Sequence, residues 1–181
     1  MEDGKMNPKL SRLWLLTLFA FVVGAWCATL AIFAAGVPAD DSAFSKDAAV
    51  ASLAEIELGK LAAAKGADPE VKDFGRQMQT DHGKANDELK GIAKTEGIAL
   101  PAGLDAEHRA LYDRLSKLSG AEFDREYAKA MVDGHTKVAA KFEREADQGQ
   151  DARLRDFARK TLPVVQQHLA MAKSLAAKVG A

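Results

Sequence analysis

Three histidines and one glutamate in this chain stand where helical spacing makes a face apolar. In the stretch DFGRQMQTDHGK, Phe74, Met78, Asp81 and His82 fall at i, i+4, i+7 and i+8, one side of a helix. His135 follows Met131 by four residues and precedes Val138 and Phe142. His168 continues a row of Leu154, Ala158, Thr161 and Val165, with Ala172 next. Glu55 precedes Leu58 and Ala62 at the same spacing, whereas Glu57 points roughly the other way. Buried polar groups need partners, or each costs about 1–3 kcal/mol. Imidazoles joined by a carboxylate can supply those partners to one another, or they can share a transition metal such as Zn, Cu or Fe. Any single histidine of this kind is more often a hydrogen-bonded core residue. One inward polar group on each of four helices is the stronger signal, and Glu55, His82, His135 and His168 are therefore the candidate ligands. Asp81, about 100° round the helix from His82, is either an acceptor that orients an imidazole from behind or a charge at the rim. His108, between Leu104 and Leu111, reads as a rim residue with no assigned role.

The elements that must position these groups are long helices. Five Pro, 7% aromatic residues and abundant Ala, Leu, Lys and Glu favour an all-α chain. The first helix runs from about Asp41 to Lys65 and stops at Gly66. Asp68-Pro69-Glu70 opens the second with an N-cap, a proline at the first helical position and an acid against the dipole. It stops at Gly97. Leu104 to Leu118 forms a shorter helix, and Ser119 to Glu122 has the pattern of a capping box. A third long helix reaches about Asp147 and a fourth spans Asp151 to Lys178, where Pro163 should kink it or loosen a turn. DPEVKDFGRQ and DARLRDFARK form an internal repeat, each opening a helix after a tight turn. The expectation is a four-helix bundle over 40–181, built from hairpins 41–97 and 119–178 joined by a crossover, 98–118, long enough for a ferritin-like fold.

A rise of about 1.5 Å per residue places Glu55 and His82 about 16 and 21 Å from the first turn, in helices about 40 Å long. His135 and His168 come out about 18 and 25 Å from the second turn. All four sit near mid-bundle, whichever end each turn occupies.

Ahead of the bundle, residues 1–12 carry Lys5, Lys9 and Arg12, and no charge occurs from Leu13 to Ala39. A membrane-spanning helix needs about 20 apolar residues. The segment 13–39 is therefore either an anchor held in the membrane through 13–37 or a signal peptide cleaved near Val37-Pro38-Ala39. The basic flank belongs on the cytoplasmic side. Either way the bundle is expected outside the cytoplasm, in a bacterial periplasm, anchored or exported.

Several function classes drop out. A net charge of −1 with interspersed signs gives no basic stripe for nucleic acid. The one cysteine, Cys27, can form neither an internal disulfide nor a thiolate zinc site. No nucleophile–base pair, phosphate-binding glycine loop or catalytic carboxylate pair is present, so an enzymatic role is open and would rest on a bound metal. The di-iron pattern Glu-x-x-His is absent, because Gln79, Val132 and Val165 stand three residues before His82, His135 and His168. The alternative to metal binding is a structural or interaction module of the envelope, in which the polar groups only fix the register of the bundle. Neither a protein partner nor an oligomeric state is encoded in any recognisable pattern.

The segments AEIELGKLA, FGRQMQTDH, LSGAEFDREYAKAMVDGH and ARKTLPVVQQHLAMA together resemble the bacterial family called domain of unknown function 4142. The resemblance covers about Ala48 to Leu175. It picks out Glu55, Asp81, His82, Phe123, Asp124, Tyr127, His135, Leu162, Pro163 and His168. It implies a ferritin-like bundle in an exported or membrane protein, and it implies no reaction. Within FDREY, Asp124 and its neighbours are expected to anchor the start of the third long helix, with Tyr127 half buried.

Overall fold

A computed structural model describes residues 36–181. The expected anchor or signal segment, 13–39, lies outside the described residues except for its last few positions. None of the described helices is long and apolar enough to cross a membrane.

The described residues form five helices and no strand: α1 (Ala39–Lys65), α2 (Pro69–Glu96), α3 (Ala106–Ser116), α4 (Gly120–Gln148) and α5 (Ala152–Val179). Local signals account for most of their ends. The Asp68 carboxylate accepts from the Glu70 amide with Pro69 behind it, and Gly97 closes α2 in the left-handed conformation at φ 69°. Asp105 and Asp151 cap α3 and α5 in the same way, Asp151 accepting from two amides. Both halves of the sequence repeat thus start a helix with an aspartate, and Phe74 and Phe157, at matching positions within them, are both buried.

One detail differs from the sequence reading. Ser119 takes the N-cap position of α4 but makes no side-chain cap; only its carbonyl engages the helix, accepting from Phe123 N. Gly66 ends α1 where expected, in an extended conformation. A glycine suits that position because a Cβ there would meet Val71 Cγ1 at 2.9 Å. α5 passes through Pro163 as one continuous helix, so the proline does not end it.

The order of packing follows from contacts at the ends. Asp41, in the first turn of α1, accepts from the amides of Gln150 (2.9 Å) and Asp151 in the α4–α5 turn. Asp124, early in α4, accepts from Ala67 (3.0 Å) and Asp68 (2.8 Å) in the α1–α2 turn. The two hairpins therefore lie with their turns at opposite ends, α1 beside α4 and α2 beside α5. Asp41 and Asp124 are both buried and are separated by the same sequence offset as Asp68 and Asp151, so the repeat extends to this reciprocal capping. It is also what gives Asp124 its anchoring role.

The segment after α2 must return along the whole bundle before α4 can start. Its two ends are fixed accordingly: Arg153 pairs with Glu96 at the α4–α5 end, and Lys65 Nζ donates to the carbonyls of Ser116 and Leu118 at the other. This is the geometry of a full-length crossover. α1 and α2 approach closely where Gly59 faces Gly75; a Cβ on Gly59 would lie 2.5 Å from the Gly75 carbonyl oxygen.

The apolar core has two parts. One, toward the α1–α2 turn, includes Leu58, Val71, Phe74, Met78, Phe123, Tyr127 and Met131. The other, toward the α4–α5 turn, includes Phe44, Leu89, Phe142, Leu154 and Phe157. On every long helix the residue singled out from sequence falls between these two clusters.

Candidate metal centre

The polar layer at the waist of the bundle is assembled from one residue on each long helix: Glu55 (α1), His82 (α2), His135 (α4) and His168 (α5). All four are buried, from 1% exposed for His135 and His168 to 7% for His82. The three imidazoles form a nearly equilateral triangle, with ring centroids 5.7 Å (His82–His135), 5.4 Å (His82–His168) and 5.5 Å (His135–His168) apart. One ring nitrogen from each lies within 4.8 Å of the other two.

Hydrogen bonds on the outer edges of two rings decide which nitrogen faces in. His135 Nδ1 donates to the Met131 carbonyl one turn back, at 2.9 Å. That bond sets the tautomer and leaves Nε2 with a lone pair. His168 Nε2 donates to Asp81 Oδ2 at 3.1 Å, so its free nitrogen is Nδ1. His82 Nε2, His135 Nε2 and His168 Nδ1 are all buried without a hydrogen-bond partner. Three unpartnered ring nitrogens in one small volume call for an explanation, because most buried polar atoms in folded proteins have a partner.

The surroundings of His82 and His168 disfavour their charged forms. Burial, followed by the neighbouring His135 and His168, holds His82 well below the ordinary imidazole value. Burial also lowers His168, with Asp81 pulling partly the other way. Neutral imidazole is the metal-binding form.

Glu55 does not join the triangle. Its Oε1 lies 3.7 Å from His135 Nδ1, the edge already engaged by Met131, and Oε2 has no partner. Burial pushes its carboxyl upward, with His135 and then His108 opposing. Asp81 is partly exposed at 27% and supports His168 across the helix interface instead of its sequence neighbour His82. Tyr127 is fully buried, not half buried, and its hydroxyl has no partner. Burial and then Glu55 push its phenol well upward.

The sequence reading passed over two buried acids. Asp41 caps the far turn, as described. Glu145 is 6% exposed with Oε1 unpartnered. Its burial could have been read from its place three residues after Phe142 on the apolar stripe of α4. Asp41 left no comparable signal, because its partner amides lie over a hundred residues away.

Comparison with solved structures reveals the same fold in proteins of distant sequence. A crystal structure of a DUF305 fragment from Deinococcus radiodurans superposes with a TM-score of 0.70 at 12% identity, over 79% of this chain and 99% of that one. A crystal structure of a conserved hypothetical protein from Mycobacterium tuberculosis gives a TM-score of 0.61 at 17% identity, over 76% and 91% of the two chains. No curated protein matches the chain. The sequence pattern described as a domain of unknown function (DUF4142) matches residues 29–175, which include all four residues of the polar layer. The chain belongs to the DUF4142 family.

Proposed function

We propose that this protein is a metal-binding helical bundle of ferritin-like architecture that holds one transition-metal ion on His82 Nε2, His135 Nε2 and His168 Nδ1. The observation that carries this reading is the convergence of three buried, unpartnered imidazole nitrogens from three helices. An all-imidazole set suits Zn, Cu or Fe better than Mg or Ca. Metal–nitrogen bonds of about 2.0–2.1 Å would draw the rings together. Three protein ligands leave a further coordination position for water or an exogenous molecule, as in zinc sites that do chemistry. Asp81 and the Met131 carbonyl would fix two of the three rings from behind. Glu55 supports His135 from its Nδ1 side and is not a ligand.

The same reading places the bundle outside the cytoplasm, in the cell envelope. The support is the uncharged run 13–39 behind a basic flank. The metal would serve binding or a stress role there.

The test is metal analysis of the untagged chain after loading with Zn²⁺, Cu²⁺ or Fe²⁺, repeated on His82→Ala and His135→Ala. One ion per chain in the wild type and a marked loss in both variants is expected. Negligible metal in the wild type under all three loadings would leave the polar layer as a device that fixes bundle register, and the protein as a structural module of the envelope.

A further inference from the structure

Glu55 also lines a cavity that does not include the three imidazoles. α1, α3 and α4 line an open cavity of about 550 Å³, within the usual size range of small-molecule sites, about 300–1,000 Å³. Its walls are mainly apolar, with Phe44, Leu58, Leu111, Met131, Val138 and Phe142 among them, and Glu55 is part of the lining. The imidazoles of His82 and His168 are not, so this space is separate from the metal triangle. Leu115 is the one buried residue of α3, and His108, Ala110 and Leu111 of that helix contribute to the lining.

The charges around it are unbalanced. Lys141 is paired with Asp47, and Lys137 with Glu107. Arg114 is paired with Glu126, and His108 with Asp105. Among the described residues every basic group of the lining is thus already engaged, whereas Asp133 has no ion pair. Glu55 keeps a buried carboxylate oxygen with no hydrogen-bond partner. A carboxylate in the wall of a mainly apolar space suits a donor carried on an apolar body, and the excess of acid in the lining favours a positive one.

We propose that the cavity between α1, α3 and α4 binds a small organic amine, with its ammonium group donating to Glu55 and its apolar part packed against Phe44, Leu58 and Phe142. A neutral alcohol would meet the same acceptor with a weaker bond, and a carboxylate would be repelled.

Calorimetric titration of the full chain, stripped of metal with chelator, decides the matter. The probes are phenethylamine, 2-phenylethanol and phenylacetate. Saturable binding of phenethylamine is expected, with 2-phenylethanol weaker by about tenfold or more and phenylacetate silent. Glu55→Gln should lose about tenfold or more in amine affinity, and Ala51→Leu, which fills the cavity and leaves the carboxylate in place, should abolish binding. Circular dichroism establishes that both variants are folded before titration. No amine binding, equal binding of amine and alcohol, or unchanged affinity in either folded variant would overturn the proposal. Because the titration uses metal-free protein, its failure would leave the metal reading standing.

Discussion

His168 donates from Nε2 to Asp81 across the α2–α5 interface at 3.1 Å, although the imidazole next to Asp81 in the chain belongs to His82. Neighbours about 100° apart on a helix diverge, so the acid turns to the facing helix and His82 turns to the centre. This cross-helix bond leaves His168 Nδ1 facing the other two rings. Asp81→Asn should therefore lower metal affinity about 10–100-fold, while His82→Ala should lower it more. Competition titration against a metallochromic chelator measures both. Equal affinity in Asp81→Asn and wild type would remove Asp81 from the site.

Metal should also stabilise the fold. An ion that binds the native state alone adds about 2.7 kcal/mol when its free concentration is a hundred times Kd. Calorimetric melting with and without Zn²⁺ should show a raised Tm in the wild type and none in a His82→Ala/His135→Ala double variant. A rise of the same size in the double variant would place the ion elsewhere.

The reciprocal turn caps should each matter to stability. Asp41 and Asp124 are buried and each satisfies two backbone amides in a turn of the other hairpin. Removing either carboxylate strands those donors at about 1–3 kcal/mol apiece. Urea midpoints of Asp41→Ala and Asp124→Ala should both fall well below wild type. A variant indistinguishable from wild type would mean that water replaces the carboxylate without loss.

The close approach of α1 and α2 sets a steric limit. A methyl group on Gly75 would lie 2.7 Å from the Gly59 carbonyl oxygen and 2.8 Å from Ala62 Cβ. Backbone cannot yield as a side chain does, so Gly75→Ala should destabilise by about 1–3 kcal/mol despite its better helix propensity. Gly91→Ala, where a Cβ meets nothing within 4 Å, is the matched control and should be neutral or stabilising. Equal midpoints for the two variants would contradict the packing described.

Glu145 gives stability a pH dependence of known sign. Burial first, then Asp41 and Asp151, push its carboxyl from the usual 4.5 up to about 7, against a lowering by Arg155. Between those values the folded chain holds a proton that the unfolded chain releases, so this group's contribution falls as pH rises through the window. Glu145→Gln should melt higher than wild type at pH 8, and the gap should shrink at pH 5. A gap that does not change with pH would show that Glu145 titrates normally.

Much of the architecture was legible in local chemistry. The N-caps Asp68, Asp105 and Asp151, the proline at Pro69 and the left-handed Gly97 are signals contained within a few residues, and the helices end where those signals stand. Ser119 is the exception, because the capping pattern leaves its side chain free to go unused. Apolar periodicity likewise turned Glu55, His82, His135 and His168 inward, since a 3.6-residue repeat says which side is buried without saying what lies opposite.

Four long helices, one inward polar residue on each and their common depth could be read from residue order, because these depend on spacing along a single helix. It took the packed bundle to show that three imidazoles meet while Glu55 stays behind His135, that Asp81 serves His168, and that Asp41 and Asp124 hold turns more than fifty residues away. Those outcomes depend on how each helix is rotated about its axis and on which ring edge finds a hydrogen bond. The packing of the whole bundle sets both.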